Sequence, residues 1–145
     1  MATFAQINKS NVVVHTIAVE NSILLDSNNV EQESLGVSFL KKLFEKGESL
    51  TFIQCSCNTM QGIHHTKNEQ TGQMEVSADQ TKARRKMHPN IGDVYDPVND
   101  WFKPAQPFNS WTFDESLWRY VAPVEYPDDG LSYQWDDNTQ SWVLV

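Results

Sequence analysis

Apolar and polar residues alternate along this chain in three different ways, and each predicts a different element. Phe4-Ala5-Gln6-Ile7 and Val12 through Val19 are apolar and β-branched runs flanking the polar stretch Asn8-Lys9-Ser10-Asn11, which predicts a hairpin. Period-two alternation places His15 on one face with Val13, Ile17 and Val19, as a half-buried, hydrogen-bonded histidine. Leu35, Phe39, Leu40, Leu43 and Phe44 then recur at helical spacing. Gly47 follows, acids lie early, and Lys41, Lys42 and Lys46 lie late, as a helix dipole favours. The expectation is an amphipathic helix over about 31–46 whose stripe packs on a sheet rather than on a partner. Leu50 to Cys57 reads as a strand, and residues 63–76 as a hairpin turning at Thr66 to Gly72.

From residue 90 onward the pattern becomes a weak repeat. Tyr95-Asp96 is followed by Trp101-Phe102, Phe113-Asp114 by Trp118, and Trp135-Asp136 by Trp142. Each unit predicts a small hairpin in which the Asp side chain caps the turn and the flanking aromatics meet across the strands. Proline-bearing connectors join the units, at Lys103 to Phe108 and at Ala122 to Pro127.

Charge separates these two stretches. Residues 1–89 hold nine Lys/Arg and nine Asp/Glu, whereas residues 90–145 hold two against ten and so carry the whole net charge of -8. All five Trp and all four Tyr also lie after residue 89. The break predicts an α+β module over 1–89 and an acidic, aromatic, proline-rich hairpin module over 90–145. The fold class is therefore α+β, mainly antiparallel strands with one helix. An acidic surface of this kind repels phosphate backbones, so nucleic acid is not an expected partner. No apolar run reaches membrane-spanning length, and the opening residues lack a secretory pattern. With only two cysteines, the expectation is a protein made in a reducing cytosol.

Candidate chemistry is sparse. Cys55, Cys57, His64 and His65 include the residue types of a zinc site, but Cys-x-Cys on a straight strand splays its sulfurs and adjacent histidines on extended chain diverge. Asp93, Asp96, Asn99 and Asp100, or Asp136, Asp137 and Asn138, offer oxygens without the ligand spacing of a calcium loop. No phosphate-binding loop, nucleophile elbow or metalloprotease helix is present. The expectation is a non-enzyme with no cofactor. The basic triplet Arg84, Arg85 and Lys86 reads as a solvated face, or as a partner for the acidic module or a neighbouring subunit. Aromatic residues are enriched in interface cores, which makes Tyr95, Trp101, Trp111, Trp118, Trp135 and Trp142 the candidate interaction surface. The alternative is a carbohydrate-binding module whose exposed Trp and Tyr stack on the pyranose faces of glycans.

The order of motifs in the second half carries a resemblance. Ile91-Gly92-Asp93-Val94-Tyr95-Asp96-Pro97-Val98-Asn99-Asp100-Trp101-Phe102-Lys103-Pro104 precedes Pro107-Phe108-Asn109-Ser110-Trp111. Tyr126-Pro127-Asp128-Asp129-Gly130 and Tyr133-Gln134-Trp135-Asp136 to Ser141-Trp142-Val143 follow. This series resembles a family of small virion structural proteins of tailed bacteriophages, common in marine T4-like phages of cyanobacteria and their relatives. Phe4 to Ile7 before Asn11-Val12-Val13 is similar too, as is Gln54 to Asn58-Thr59 followed by Gly62 and His64. The likeness is strongest over residues 84–145 and loosest between 20 and 50. The predicted helix is longer than the family's pattern, and Cys55 and Cys57 have no counterpart in it. The resemblance implies no catalytic residue. It implies a virion protein assembled in the host bacterial cytoplasm and present in many copies. Its partners would be major capsid, neck or tail subunits, with the protein serving as a capsid decoration or a tail, neck or fibre accessory.

Overall fold

A computed structural model describes all residues 1–145. It divides into two compact units, Met1–Lys103 and Pro104–Val145.

The first unit is organised around β1 (Ala2–Ile7), which pairs antiparallel with both β2 (Val13–Val19) and β3 (Thr51–Cys55). The helix α1 (Glu33–Phe44) is shorter at each end than its apolar pattern suggests. Because strand side chains alternate, Phe4 and Ala5 serve opposite faces of the sheet. Phe4 joins Val19, Leu24, Leu40 and Phe52 in one buried cluster. Ala5 joins Ile7, Val13, Cys55 and Phe102 in another.

A bulge explains how β2 supplies both clusters. The register runs Gln6 to His15 and then Ile7 to Val13, so Val14 is the extra residue. That insertion moves Val13 to the Ala5 face and away from His15. His15 therefore does not share a face with Val13, and it is exposed rather than half-buried.

Helix α1 sits close on the sheet through Gly36. A Cβ at that position would stand 2.3 Å from Phe4 Cζ and 2.8 Å from Cε2, against a ring that is itself fully buried. Alanine would gain about 1 kcal/mol in helix propensity, but overpacking costs about 1–3 kcal/mol and wins where the neighbour cannot move. Gly36→Ala is therefore expected to lower the urea midpoint, and an unchanged or raised midpoint would show that the helix can shift outward.

The strands β4 (Thr59–Met60), β5 (Ile63–Lys67) and β6 (Met74–Val76) form a second antiparallel sheet in this unit. Thr59 pairs with His64 on its buried face, while Met60, Ile63, Met74 and Val76 share the other and are exposed. The turn before β6 contains Gly72 at φ 71°, as its composition suggests.

The composition break at residue 89 falls inside the first unit. The hairpin of β7 (Val94–Asp96) and β8 (Trp101–Lys103) follows that break, yet it places Phe102 in the core beside Ala5 and Val13. Asp93 O accepts from Val13 N at 2.8 Å, and Asn11 O accepts from Tyr95 N at 2.8 Å, tying the hairpin's entry to the first turn. Composition follows the aromatic repeat, whereas compactness follows what the first hairpin packs against.

The second unit contains the hairpins β9 (Thr112–Asp114) with β10 (Arg119–Val121), and β11 (Tyr133–Asp136) with β12 (Ser141–Leu144). The three aromatic hairpins of the chain use one turn. Asp96 Oδ1 accepts from Val98 N at 2.9 Å, Asp114 Oδ1 from Ser116 N at 2.8 Å, and Asp136 Oδ1 from Asn138 N at 2.9 Å. Four residues after each Asp the backbone is left-handed, with φ 53° at Asp100, 51° at Trp118 and 48° at Gln140. Directly paired aromatics close each hairpin: Tyr95 with Phe102, Phe113 with Tyr120, and Trp135 with Trp142. Their ring centroids lie 5.3, 5.2 and 5.1 Å apart. In the middle hairpin Tyr120 is thus the cross-strand partner, while Trp118 occupies the left-handed position and packs edge-on against Phe113.

Two of these caps, at Asp96 and Asp114, are expected to make the protein's stability acid-sensitive. The Asn99 side-chain hydrogen bond holds the Asp96 carboxyl below the usual range, and the Ser116 hydroxyl does the same for Asp114. A carboxyl whose pKa falls on folding contributes stability above its unfolded value, and that contribution is lost as pH falls through the folded value. The urea midpoint should therefore hold from neutral pH to about 5 and fall below about 4, and Asp96→Asn with Asp114→Asn should flatten the decline. An equally steep decline in that double variant would place the acid sensitivity elsewhere.

Candidate interaction surface

The aromatic candidates divide by unit. Tyr95 and Trp101 are half-buried on the β7–β8 hairpin of the first unit. In the second unit Trp135 is buried, and its ring meets Trp142 at 5.1 Å and Trp111 at 6.0 Å. Trp135 Nε1 donates to Ser110 Oγ and to Asp137 Oδ1, both at 3.2 Å. Trp142 Nε1 donates to Val124 O at 2.9 Å. Trp118 is buried in its own hairpin, and Trp111 and Trp142 are half-buried. The tryptophans of this unit thus form much of its interior. Edge-to-face pairs are worth about 0.5–1.5 kcal/mol each beyond area, enough to help hold together a unit of short strands.

The basic triplet is not uniformly solvated. Arg85 joins three elements: Nη1 and Nη2 donate to Glu33 Oε1 and Oε2 at 3.0 and 3.1 Å, and Nη1 also donates to Gln54 O at 2.6 Å. Its Nε donates to Asp100 Oδ1 at 2.7 Å, the same oxygen that accepts from Tyr95 OH at 2.6 Å. Burial raises the Asp100 carboxyl, but the Tyr95 hydroxyl and Arg85 outweigh it and hold the carboxyl below its usual range. Arg84 donates to Glu31 Oε1 at 3.1 Å, and Lys86 is exposed. Arg85 therefore reaches the acidic stretch after residue 89, through Asp100.

The four zinc-type residues are not brought together. No group of three or more His, Cys, Asp or Glu side chains is arranged to hold a metal ion. Cys55 lies in the second core cluster, where burial pushes its thiol up to about 12, and its Sγ is 3.7 Å from His88 Nδ1. Burial lowers the pKa of His88, which favours its neutral form. Cys57 is exposed, with its Sγ 3.7 Å from Asn58 Oδ1. His64 Nδ1 is 2.7 Å from Ser77 Oγ, and His65 lies on the opposite face of β5. The candidate calcium oxygens serve the backbone and side chains of the chain: Asp93 Oδ2 accepts from Asn90 N at 2.7 Å, and Asp137 accepts from Ser110.

Two hollows remain. One, of about 310 Å³, is polar and includes Glu31, Gln54, Cys57, His64, Lys82 and Arg84 in its lining. Glu31 and Arg84 pair with each other there, and His64 Nδ1 is held by Ser77. The other is an aromatic groove of the second unit.

Surfaces outside the aromatic candidates expose more apolar area. On α1, Gly36 and Leu40 are buried, but Leu35, Phe39, Leu43 and Phe44 are 37–55% exposed. The helical stripe is wider than the sheet covers, and only part of it packs inward. The signal was in the sequence, since five large apolar residues within ten positions exceed what one narrow contact line requires.

The chain matches no protein-family model, no curated protein and no solved structure.

Proposed function

We propose that this protein is a non-enzymatic structural protein of a tailed-bacteriophage virion, acting through contacts among many copies and with capsid, neck or tail subunits. The observation that carries the reading is the outward apolar line of α1, Leu35, Phe39 and Leu43 with Phe44 beside it. Contiguous exposed apolar surface of this kind is characteristic of sites that meet other proteins. The exposed face of Met60, Ile63, Met74 and Val76 adds a second such surface. The motif order after residue 84 supports the phage assignment. The aromatic hairpins support the surface by rigidity, since their rings pack largely on one another.

Cryo-electron microscopy of intact particles of the phage encoding this chain tests the reading. Density repeating over the head lattice makes it a decoration protein; density confined to neck, tail or fibres makes it an accessory there. In either position the α1 face should be covered by a neighbouring subunit. Particles with no density for the chain, and none of it by mass spectrometry, would remove the virion assignment.

A further inference from the structure

We propose that the groove of the second unit is a binding site for a neutral, hydroxyl-rich ligand, a pyranose oligosaccharide. This inference is independent of the virion reading, because a free protein could carry the same site. The groove measures about 640 Å³, within the usual 300–1,000 Å³ of small-molecule sites and large enough for more than one sugar ring. Four aromatic side chains line it: Trp111, Tyr120, Tyr126 and Trp142. Their rings stay in place because each serves the fold. Tyr120 closes the β9–β10 hairpin against Phe113, and Trp142 stands 4.9 Å from Tyr126 at 72°. Tyr126 OH donates to Leu131 O at 3.3 Å and accepts from Tyr133 N at 3.0 Å. Rings fixed before a ligand arrives lose little entropy when one binds, and a flat ring matches the C–H face of a pyranose.

The polar groups specify the ligand's charge. Arg119 and Glu125 also line the groove, one cation and one anion, both exposed. Together they offer donors and acceptors to hydroxyls with no net charge. The surrounding unit has Arg119 as its sole Lys or Arg against seven Asp and Glu, a field that repels anionic polymers. Of the candidate tryptophans of this unit, Trp111 and Trp142 line the groove, whereas Trp118 and Trp135 are buried and outside it.

The experiment is a titration of the full chain, followed by tryptophan fluorescence and two-dimensional amide NMR. The neutral probes are maltotriose, cellotriose and N,N′,N″-triacetylchitotriose, with trigalacturonate as the anionic probe and a proline-rich peptide as the competitor class. Saturable binding of at least one neutral trisaccharide is expected, with shifts concentrated at Arg119–Tyr126, Trp111 and Trp142. Arg119→Ala and Glu125→Ala change exposed side chains and should keep the amide spectrum dispersed. Each should weaken binding about tenfold, the usual effect of a lost charge-assisted hydrogen bond. No response to any neutral probe, tighter binding of trigalacturonate, or a peptide that binds where no sugar does would each overturn the proposal. Binding left unchanged in both variants would overturn its location.

Discussion

Phe102→Ala is expected to destabilise the first unit by about 3–5 kcal/mol, the range for removing a fully buried aromatic ring. Phe102 has no exposed surface, packs with Ala5, Ile7, Val13 and Cys55, and its ring centroid lies 5.3 Å from that of Tyr95 at a tilt of 52°. No other side chain of the β7–β8 hairpin is as deeply buried, so its loss should release the hairpin as well as open a cavity. Urea denaturation measures this as a fall in midpoint, and a loss below about 1 kcal/mol would show that the hairpin is not integral to the core. A fragment ending at Lys103 is expected to fold cooperatively while one ending at Pro89 does not, since the shorter one exposes the face that Phe102 covers. If both fragments melt with the same midpoint, the compact boundary lies at residue 89 after all.

Arg85→Ala carries the second large effect, about 2–3 kcal/mol. Removing one member of a buried ion pair costs about 3–5 kcal/mol because the other charge is left without its partner. Here the Arg85 side chain is 15% exposed, but Glu33 is 29% and Asp100 60% exposed, so water recovers part of the loss. The Gln54 carbonyl also loses the 2.6 Å hydrogen bond from Nη1. Arg85→Lys should recover less than half of the loss, since one ammonium cannot grip both Glu33 oxygens and still reach Asp100. A double-mutant cycle of Arg85→Ala with Glu33→Ala should show a coupling above 1 kcal/mol. Additive losses would mean that Arg85 acts through packing of its stem and not through the ion pair.

How legible these features were depends on how local their causes are. The α+β class, the first hairpin, the helix and the strand after it follow from residues within a few positions of one another. The Asp-capped turns were readable for the same reason, because the Asp and the amides it accepts from lie two or three residues apart. His15 was misplaced because a bulge shifts parity, and the valine run gives no sign of which residue is extra. The outward line on α1 was assigned to the core because amphipathicity fixes a direction but not how much sheet is available to cover it. Arg85 could be located in a basic triplet, yet its partners at Glu33, Gln54 and Asp100 come from distant positions. The groove was hidden for the same reason, since Trp111, Arg119 to Tyr126 and Trp142 meet only after both hairpins have formed.

The shared turn has a consequence for how the chain reaches this structure. Each aromatic pair joins residues only seven positions apart, so closing it requires a short loop and no earlier long-range contact. Isolated hairpins form in about 1–10 μs, far sooner than pairings between distant strands. The three hairpins are therefore suited to act as early nuclei, the last two assembling their unit from ready-made pieces. The first has to wait: its aromatic face is complete early, but the surface it docks on needs Ala5 and Val13, which lie some ninety residues upstream along the chain.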